Sequence, residues 1–266
     1  KIILMTMLMS AVFAQSDCNK DNWQEYYNSE GRDMTDCDLE GANLSYAKFR
    51  GANLTNAILE GANLERANLT DANLEGANLE GANLEGARFY RADLSGADLR
   101  KADLEAASFT MANLEGASFY RAFLQRANLR EANLEGADLE SADFRKANFE
   151  GANLEGVDFN KAILEEANLE GANLTNAILE GVDLERAFLL RANLEGANLR
   201  YAKFPGANLT NAILEGANLE RANLERANLT NAILEGVRSS RIRGKPASLP
   251  KGWSLVDGRL IKKDGE

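Results

Sequence analysis

Residues 51–85 read GANLTNAILEGANLERANLTDANLEGANLEGANLE, and this stretch shows the pattern that decides the fold. From Leu39 to Leu234 every fifth residue is Leu or Phe, which makes 40 consecutive pentapeptides with no insertion. Ala stands two residues before this central position in 37 of the 40, and the exceptions are Cys37, Val157 and Val182. The chain is therefore built from one short repeat, A-x-Leu/Phe-x-x.

A five-residue period fits neither an α-helix nor a flat strand. Five residues of helix turn through about 500°, so successive Leu side chains would not form an apolar stripe. In a flat strand, a five-residue step sends successive Leu side chains to opposite faces. A short extended segment followed by a bend does fit, because Ala and the Leu two residues later then point the same way. We expect the chain to coil around its own apolar axis.

Gly occupies the second position after the central residue in 17 of the 40 repeats, where a tight corner benefits from its conformational freedom. Runs such as Gly51-Ala-Asn-Leu-Thr and Glu75-Gly-Ala-Asn-Leu resemble the pentapeptide-repeat family over about three quarters of the chain. The resemblance implies an all-β fold, a right-handed quadrilateral β-helix with four pentapeptides per coil. Residues 38–236 would then form ten coils, with a length of about 48 Å at roughly 4.8 Å per coil.

Composition argues against catalysis and against nucleic acid as a direct partner. Acidic residues outnumber basic ones 41 to 30, and the formal net charge of -11 disfavours unaided binding to nucleic acid or to an anionic membrane. Histidine is absent, so the usual general base at neutral pH and the commonest metal ligand are missing. A regular convex rod also offers no concave pocket for convergent polar groups. We expect no enzymatic activity, no cofactor and no bound metal.

Residues 1–14 are predicted to be a signal peptide. Lys1 precedes an apolar run, and small residues at Val12 and Ala14 suit cleavage before Gln15. The run is too short to span a bilayer as a stable helix. We therefore expect a periplasmic or secreted protein with no membrane span.

Residues 15–37 are predicted to form an N-terminal cap, because an open β-helix end exposes apolar surface and unpaired strand edges. A short helix starting at Asp21 is expected to place Trp23, Tyr26 and Tyr27 over the first coil.

Cys18 and Cys37 are the two cysteines of the chain, and Cys37 stands where an inward Ala is expected. An oxidising compartment favours a disulfide between them. The bridge would close a loop of about 20 residues and stabilise the fold by roughly 3 kcal/mol. Two unpaired thiols are the alternative.

Residues 237–266 are predicted to form a basic linker and a β-hairpin cap. Ser239 holds the position where Leu is due, so the rod is expected to stop after Gly236. Asp257-Gly258 is a strong signal for a two-residue hairpin turn. The apolar residues that could cover the last coil are Trp253, Leu255 and Leu260.

Four pentapeptides per coil would place every twentieth residue in one column. The columns beginning at Leu44 and Leu54 are acidic, and their Glu ladders could hold divalent cations weakly, although an ordinary solvated surface explains them better. The column beginning at Phe49 has the fewest charged residues in the position directly after the central one. Its apolar residues are a candidate partner surface: Tyr90, Met111, Phe188 and Leu190.

Together these features predict a non-catalytic structural or protein-interaction rod of the periplasm or cell exterior, with an unknown protein partner. A monomer and an end-to-end dimer both stay open. The alternative is an acidic DNA mimic that binds a type II topoisomerase, which cytoplasmic members of the resembled family imply. The export signal, the expected disulfide and the hairpin tail depart from those members.

Overall fold

The structure, a computed structural model, describes residues 18–29 and 31–263, so the predicted signal peptide lies outside the described residues. The chain forms a repeat solenoid in which each coil pairs with the next in parallel. Asn53 pairs with Asn73 and Asn73 with Asp93, and the same step of twenty residues recurs along the chain. Twenty residues are four pentapeptides, so each coil has four short sides separated by four turns.

Every backbone N–H in a typical repeat has a hydrogen-bond acceptor. In the repeat centred on Leu134, one N–H closes the preceding turn and three donate to carbonyls of the adjacent coils, with N to O distances of 2.8–3.2 Å. The fifth N–H, that of Glu135, donates to the side-chain Oδ1 of Asn133 at 3.3 Å. An Asn or Asp before the central residue therefore supplies the acceptor that the backbone lacks, which explains its frequency there.

The turns demand a left-handed backbone at one position in every repeat. The second residue after each central residue has a positive φ, and the N–H of the next residue closes the turn, as in Ala137 N to Leu134 O at 2.9 Å. A single positive φ at this place is typical of a type II turn, which favours Gly. Gly136 has φ 65°. Met111 and Lys146 adopt nearly the same values, φ 60° and 61°, although they lack the conformational freedom of glycine.

The core is a continuous column inside the coil. The Ala and the central Leu or Phe of each repeat are buried, with at most 4% of their surface exposed except at half-buried Ala47. Among the described residues, no polar or charged side chain is buried in the interior. Phe rings meet between neighbouring coils, as where Phe89 and Phe109 stack with centroids 4.6 Å apart and an interplanar angle of 3°. Apolar burial on this scale is the main stabilising term for the rod.

The N-terminal segment packs against the first coil. Helix α1, Trp23–Tyr27, lies over Phe49, whose ring centroid is 5.0 Å from Trp23 and 5.8 Å from Tyr27. The prediction of a helix starting at Asp21 was wrong by two residues. The carbonyl of Asn19 accepts both Asn22 N–H and Trp23 N–H, which holds residues 19–22 in a turn before the helix begins.

The same segment contains the predicted disulfide between Cys18 and Cys37, with Cα atoms 4.7 Å apart. Cys37 N–H closes a turn on Met34 O, and Met34 is fully buried in a central position. Asn19 already pairs in parallel with Asp38, nineteen residues later, and the regular step of twenty residues begins with the bridge from Asp33 to Asn53, one repeat before Leu39.

Beyond Gly236 the side-chain pattern fails but the backbone pairing continues, so the expectation that the rod stops there was wrong. Arg238, Arg243 and Ser248 still pair with residues twenty positions earlier. Pairing survives because it uses main-chain groups, which do not depend on Leu at the central position. Ile242, buried at the place of an inward Ala, continues the apolar column.

The chain ends in the predicted hairpin. Strand β1, Trp253–Val256, pairs antiparallel with strand β2, Arg259–Lys262, through the turn Asp257-Gly258. Both turn residues have positive φ, 48° and 72°, as a type I′ turn requires. Leu260 is buried against the core, while Trp253 and Leu255 are half-buried beside it.

Candidate functional site

The four sides of the coil share one backbone and differ in their outward residues. We number them by their central residues, which recur at every twentieth position. Side 1 begins at Leu39, side 2 at Leu44, side 3 at Phe49 and side 4 at Leu54. On each side the residue before the central one and the two residues after it point away from the core.

Side 4 carries a ladder of asparagines along the rod. The Nδ2 of Asn133 donates to Oδ1 of Asn113 at 3.3 Å, Asn153 donates to Asn133 at 2.9 Å, and Asn173 donates to Asn153 at 3.1 Å. The amide of Asn153 also lies 3.4 Å from Oε2 of Glu135. The ladder therefore fixes the surface from which the glutamates of side 4 project.

The charge of side 4 is purely negative. Between Leu54 and Leu234 its outward positions hold eight acidic residues and no Lys or Arg. Glu115, Glu135 and Glu155 follow one another on successive coils, at a spacing of about 4.8 Å. Within the described part of the chain, Glu235 is the one carboxylate of side 4 in an ion pair, with Lys262 at 2.8 Å. The hydrogen bond from Lys262 lowers the pKa of Glu235.

The corner of side 4 is also the least obstructed. The turn position with positive φ is Gly in eight of its ten repeats and Asn in the other two. A Cβ built on Gly116 or Gly136 would meet no atom within 4 Å, so backbone conformation alone favours glycine at these two corners, whereas at Gly76 and Gly196 a Cβ would also crowd the amide oxygen of an Asn in the preceding coil. The glutamate row consequently stands on a flat surface with no long side chain beside it.

Side 2 was predicted to be acidic as well, but its charges are largely compensated. Its ten acidic residues between Leu44 and Leu224 share the surface with seven basic residues. Arg126 pairs with Glu105, Lys146 with Glu166 at 3.5 Å, and Lys203 with Asp183 at 3.3 Å. The two sides differ in their number of Lys and Arg residues, which the sequence already shows when basic residues are counted together with acidic ones in each column.

Two carboxylates on sides 1 and 2 show this pairing in their pKa values. Burial alone would raise the pKa of Asp143, but hydrogen bonds from the side chain and backbone of Arg145 and from Gln125 lower it overall. The pKa of Asp98 is lowered by Arg100 in the same way, again against the opposing effect of burial. Both are structural ion pairs on an open surface, which is not the arrangement of an acid–base pair in a catalytic cleft.

The candidate partner surface on side 3 falls into two pairs. Tyr90 and Met111 are exposed on adjacent coils, whereas Phe188, also exposed, and half-buried Leu190 lie four coils further along. The charged residues Arg130, Glu150 and Glu170 separate the pairs in the same outward column, and Arg130 contacts Glu150 at 3.7 Å. The structure does not bring the four apolar residues into one patch.

Residues 18–29 and 31–263 contain neither a cluster of metal-ligating side chains nor a membrane-spanning helix. No group of three or more Cys, Asp or Glu side chains in these ranges could hold a metal ion, so the glutamate ladders do not converge on a cation. No helix in the same ranges has the length and hydropathy to cross a membrane.

A family model described as pentapeptide repeats matches the chain in eight copies, over residues 33–105 and 107–238. The chain belongs to the pentapeptide-repeat family. Membership supports a right-handed β-helical solenoid, in agreement with the parallel pairing at twenty-residue steps.

Among solved pentapeptide-repeat structures, HetL from the cyanobacterium Nostoc sp. strain PCC 7120 is 34% identical, with a TM-score of 0.71 over 82% of this chain and 94% of HetL. HetL is described as involved in the regulation of heterocyst differentiation. A thylakoid-lumen pentapeptide-repeat protein of Arabidopsis thaliana is 31% identical over 55% of this chain and 70% of its own, with a TM-score of 0.21.

QnrB1, described as a plasmid-mediated fluoroquinolone resistance protein, is 22% identical over 65% of this chain and 91% of its own, with a TM-score of 0.36. No curated protein matches the sequence.

Proposed function

We propose that this pentapeptide-repeat protein is a non-catalytic interaction rod of the periplasm or cell exterior, which binds a basic protein partner through side 4. The observation that carries the proposal is the uncompensated charge of side 4, where eight carboxylates face solvent without one Lys or Arg among them. The other three sides mix acidic and basic residues.

Three properties of side 4 support its role as the contact surface. The glycine corners leave the glutamate row accessible to a flat or extended partner. The asparagine ladder holds the surface rigid, so a partner would lose little free energy to the ordering of the rod. A row of like charges attracts a basic partner over about a Debye length and speeds the encounter.

We also propose that the protein is exported and that both ends of the rod are capped. The apolar segment at residues 1–14 and the Cys18–Cys37 disulfide both suit an oxidising compartment. We assign α1 and the β1–β2 hairpin as caps, because each places apolar side chains on an end of the core column. Intact-mass and N-terminal analysis of protein from fractionated native cells tests the export, with a chain beginning near Gln15 as the expected species.

Site-specific photo-crosslinking in the native host tests the contact surface. A photoreactive amino acid at Thr175 probes side 4, and one at Gln125 is the matched control, because both positions directly follow a central residue and both are half-buried. We expect a discrete adduct with a basic protein from Thr175 and none from Gln125. The triple change Glu115→Gln, Glu135→Gln and Glu155→Gln should reduce that adduct by about tenfold or more. Adducts of equal yield from both sides would reject side 4 as the contact surface.

A DNA mimic that binds a type II topoisomerase is the second candidate, favoured by the same row of unpaired carboxylates. A basic DNA-binding surface would meet side 4 as it meets phosphates. A supercoiling assay with gyrase distinguishes the two: inhibition at micromolar protein, abolished by the triple Glu→Gln variant, supports the mimic. No effect of either protein on supercoiling removes it.

A further inference from the structure

The C-terminal end of the rod contains a cavity of about 420 Å³ whose walls are rich in arginine. It lies where the hairpin meets side 1. Its charged lining residues are Arg200, Glu220, Arg221, Arg241, Asp257 and Arg259.

Three separate parts of the chain supply the arginines. Arg200 and Arg221 belong to the last regular coils, Arg241 to the irregular coil after Gly236, and Arg259 to β2. The hairpin is held in place by Ile242 N–H donating to Gly258 O at 3.0 Å and by Leu260 N–H donating to Ser239 Oγ at 3.0 Å. The cavity is therefore a built feature of the hairpin contact and not a chance gap between flexible side chains.

Tyr201 orders two of the guanidinium groups. Its ring lies 4.8 Å from Cζ of Arg200 and 5.2 Å from Cζ of Arg221, and its hydroxyl accepts a hydrogen bond from Arg221 at 2.5 Å. Guanidinium groups stacked on an aromatic ring lose less conformational freedom when they bind an anion. The ring thus holds both arginines in place for a multidentate anionic ligand.

The arginines have more hydrogen-bonding capacity than the carboxylates around them use. Arg200 pairs with Glu180 at 3.7 Å, yet its Nε is buried and has no hydrogen-bond partner among the described residues. Arg221, Arg241 and Arg259 lie within 4 Å of no carboxylate in the described part of the chain. Four guanidinium groups face two lining carboxylates, in a terminal segment where residues 237–263 carry eight basic residues and one acidic residue.

We propose that this cavity, which we call the arginine cavity, binds an oxyanion of the phosphate or sulfate class. Guanidinium groups bind such anions through paired, charge-assisted N–H···O bonds, and a tetrahedral oxyanion can accept from several arginines at once. The site gives an acidic rod one place where an anionic ligand is attracted. It lies apart from side 4 and does not depend on the function proposed for that side.

Isothermal titration calorimetry at constant ionic strength tests the arginine cavity, with inorganic phosphate and glycerol 3-phosphate as probes. We expect saturable binding to the full chain with a dissociation constant of about 1 mM or lower. Arg241→Gln combined with Arg259→Gln should weaken binding by about tenfold or more. Preference for glycerol 3-phosphate over inorganic phosphate would identify an ester as the natural source of the group, and the reverse would identify the free ion.

The matched control combines Arg126→Gln with Arg186→Gln, which removes two arginines from side 2 and the same net charge. Binding should stay within about twofold of the wild-type chain. Near-ultraviolet circular dichroism of Trp253 checks that the hairpin is still docked in both variants. Equal loss of affinity in the two variants, or no saturable binding to the wild type, would overturn the proposal. Binding only to anionic vesicles, without competition by phosphate, would also overturn it.

Discussion

Sides 2 and 4 of the coil lie opposite each other on one backbone, yet their surfaces have little in common. Side 4 combines small corner residues, an asparagine ladder and a row of carboxylates, with no Lys or Arg among its outward positions. Side 2 holds long cationic side chains in its corners, and four of them pair with a carboxylate: Arg66, Arg126, Lys146 and Arg186. The interior behind them is the same column of Ala and Leu or Phe. The comparison teaches that the inward positions determine the fold, whereas the outward positions are free to diverge.

The largest expected effect comes from an inward change behind side 4. Leu134→Asp places a carboxylate in a fully buried site, which removes apolar burial and adds an unpaired charge. We expect a loss of at least about 4 kcal/mol and no cooperative unfolding transition by circular dichroism. The neighbouring outward change, Glu135→Gln, is the control and should leave the melting temperature nearly unchanged. Similar melting temperatures for the two variants would contradict the division between inside and outside.

Substitutions at the corners of the two sides should shift the melting temperature in opposite directions. Gly136→Ala on side 4 puts a Cβ at φ 65°, and Lys146→Gly on side 2 removes one at φ 61°. Left-handed backbone costs a non-glycine residue about 1 kcal/mol, so the first change should lower the melting temperature and the second should raise it, each by about 2–4 °C. Differential scanning calorimetry of both variants checks this. A shift of the same sign in both would show that corner conformation is not the cause.

Acid should weaken several ion pairs of side 2, whereas on the described part of side 4 it should weaken only the pair of Glu235 with Lys262. The pKa of Asp143 lies below its ordinary value of 3.8 in the folded chain. The contribution of the Asp143 carboxylate to folding stability is therefore present above the unfolded pKa of 3.8 and is lost as the pH falls through the folded pKa. We expect Asp143→Asn to melt below the wild type at about pH 7, and the difference to vanish at about pH 2. If the difference persists at low pH, the Asp143 charge is not what stabilises the native state.

The smallest expected effect is the change in melting temperature when single-sign charges are removed from side 4 or side 2, and this change should depend on salt. The triple change Glu115→Gln, Glu135→Gln and Glu155→Gln removes like charges on side 4, so at low ionic strength it should raise the melting temperature by less than about 2 °C. Glu105→Gln on side 2 removes a partner of Arg126 and should lower it slightly. Both shifts should shrink when salt is added, and salt-independent shifts would exclude a Coulombic origin.

Much of this molecule could be predicted from its sequence, because its repeat leaves few alternatives. The A-x-Leu/Phe-x-x period predicted the coil and its buried positions, and Asp257-Gly258 predicted the hairpin. The Cys18–Cys37 disulfide was predicted from an expected oxidising compartment and from the place of Cys37 at an inward position. Each of these depends on local pattern or on contacts between equivalent positions of adjacent coils.

What escaped prediction depends on how separate segments meet. Arg200 and Arg259 line the same arginine cavity only because the hairpin docks on the rod. No spacing in the sequence predicts that contact. The coil pairing of Arg238 and Arg243 continues where the leucine pattern has ended, because main-chain groups alone maintain it. The contrast between sides 2 and 4 required the cations to be counted with the anions in each column.

The direction of the hydrogen bonds between coils determines how the rod would respond to a pulling force. These bonds, such as Leu134 N–H to Asn153 O at 2.8 Å, join each coil to the next and run along the rod. Tension applied between the two ends loads the bonds of one coil at a time, so the chain peels instead of shearing as a unit. Each step releases the twenty residues of one coil, or about 70 Å of extended chain. In mechanical terms, the rod is a stiff spacer that lengthens in even increments.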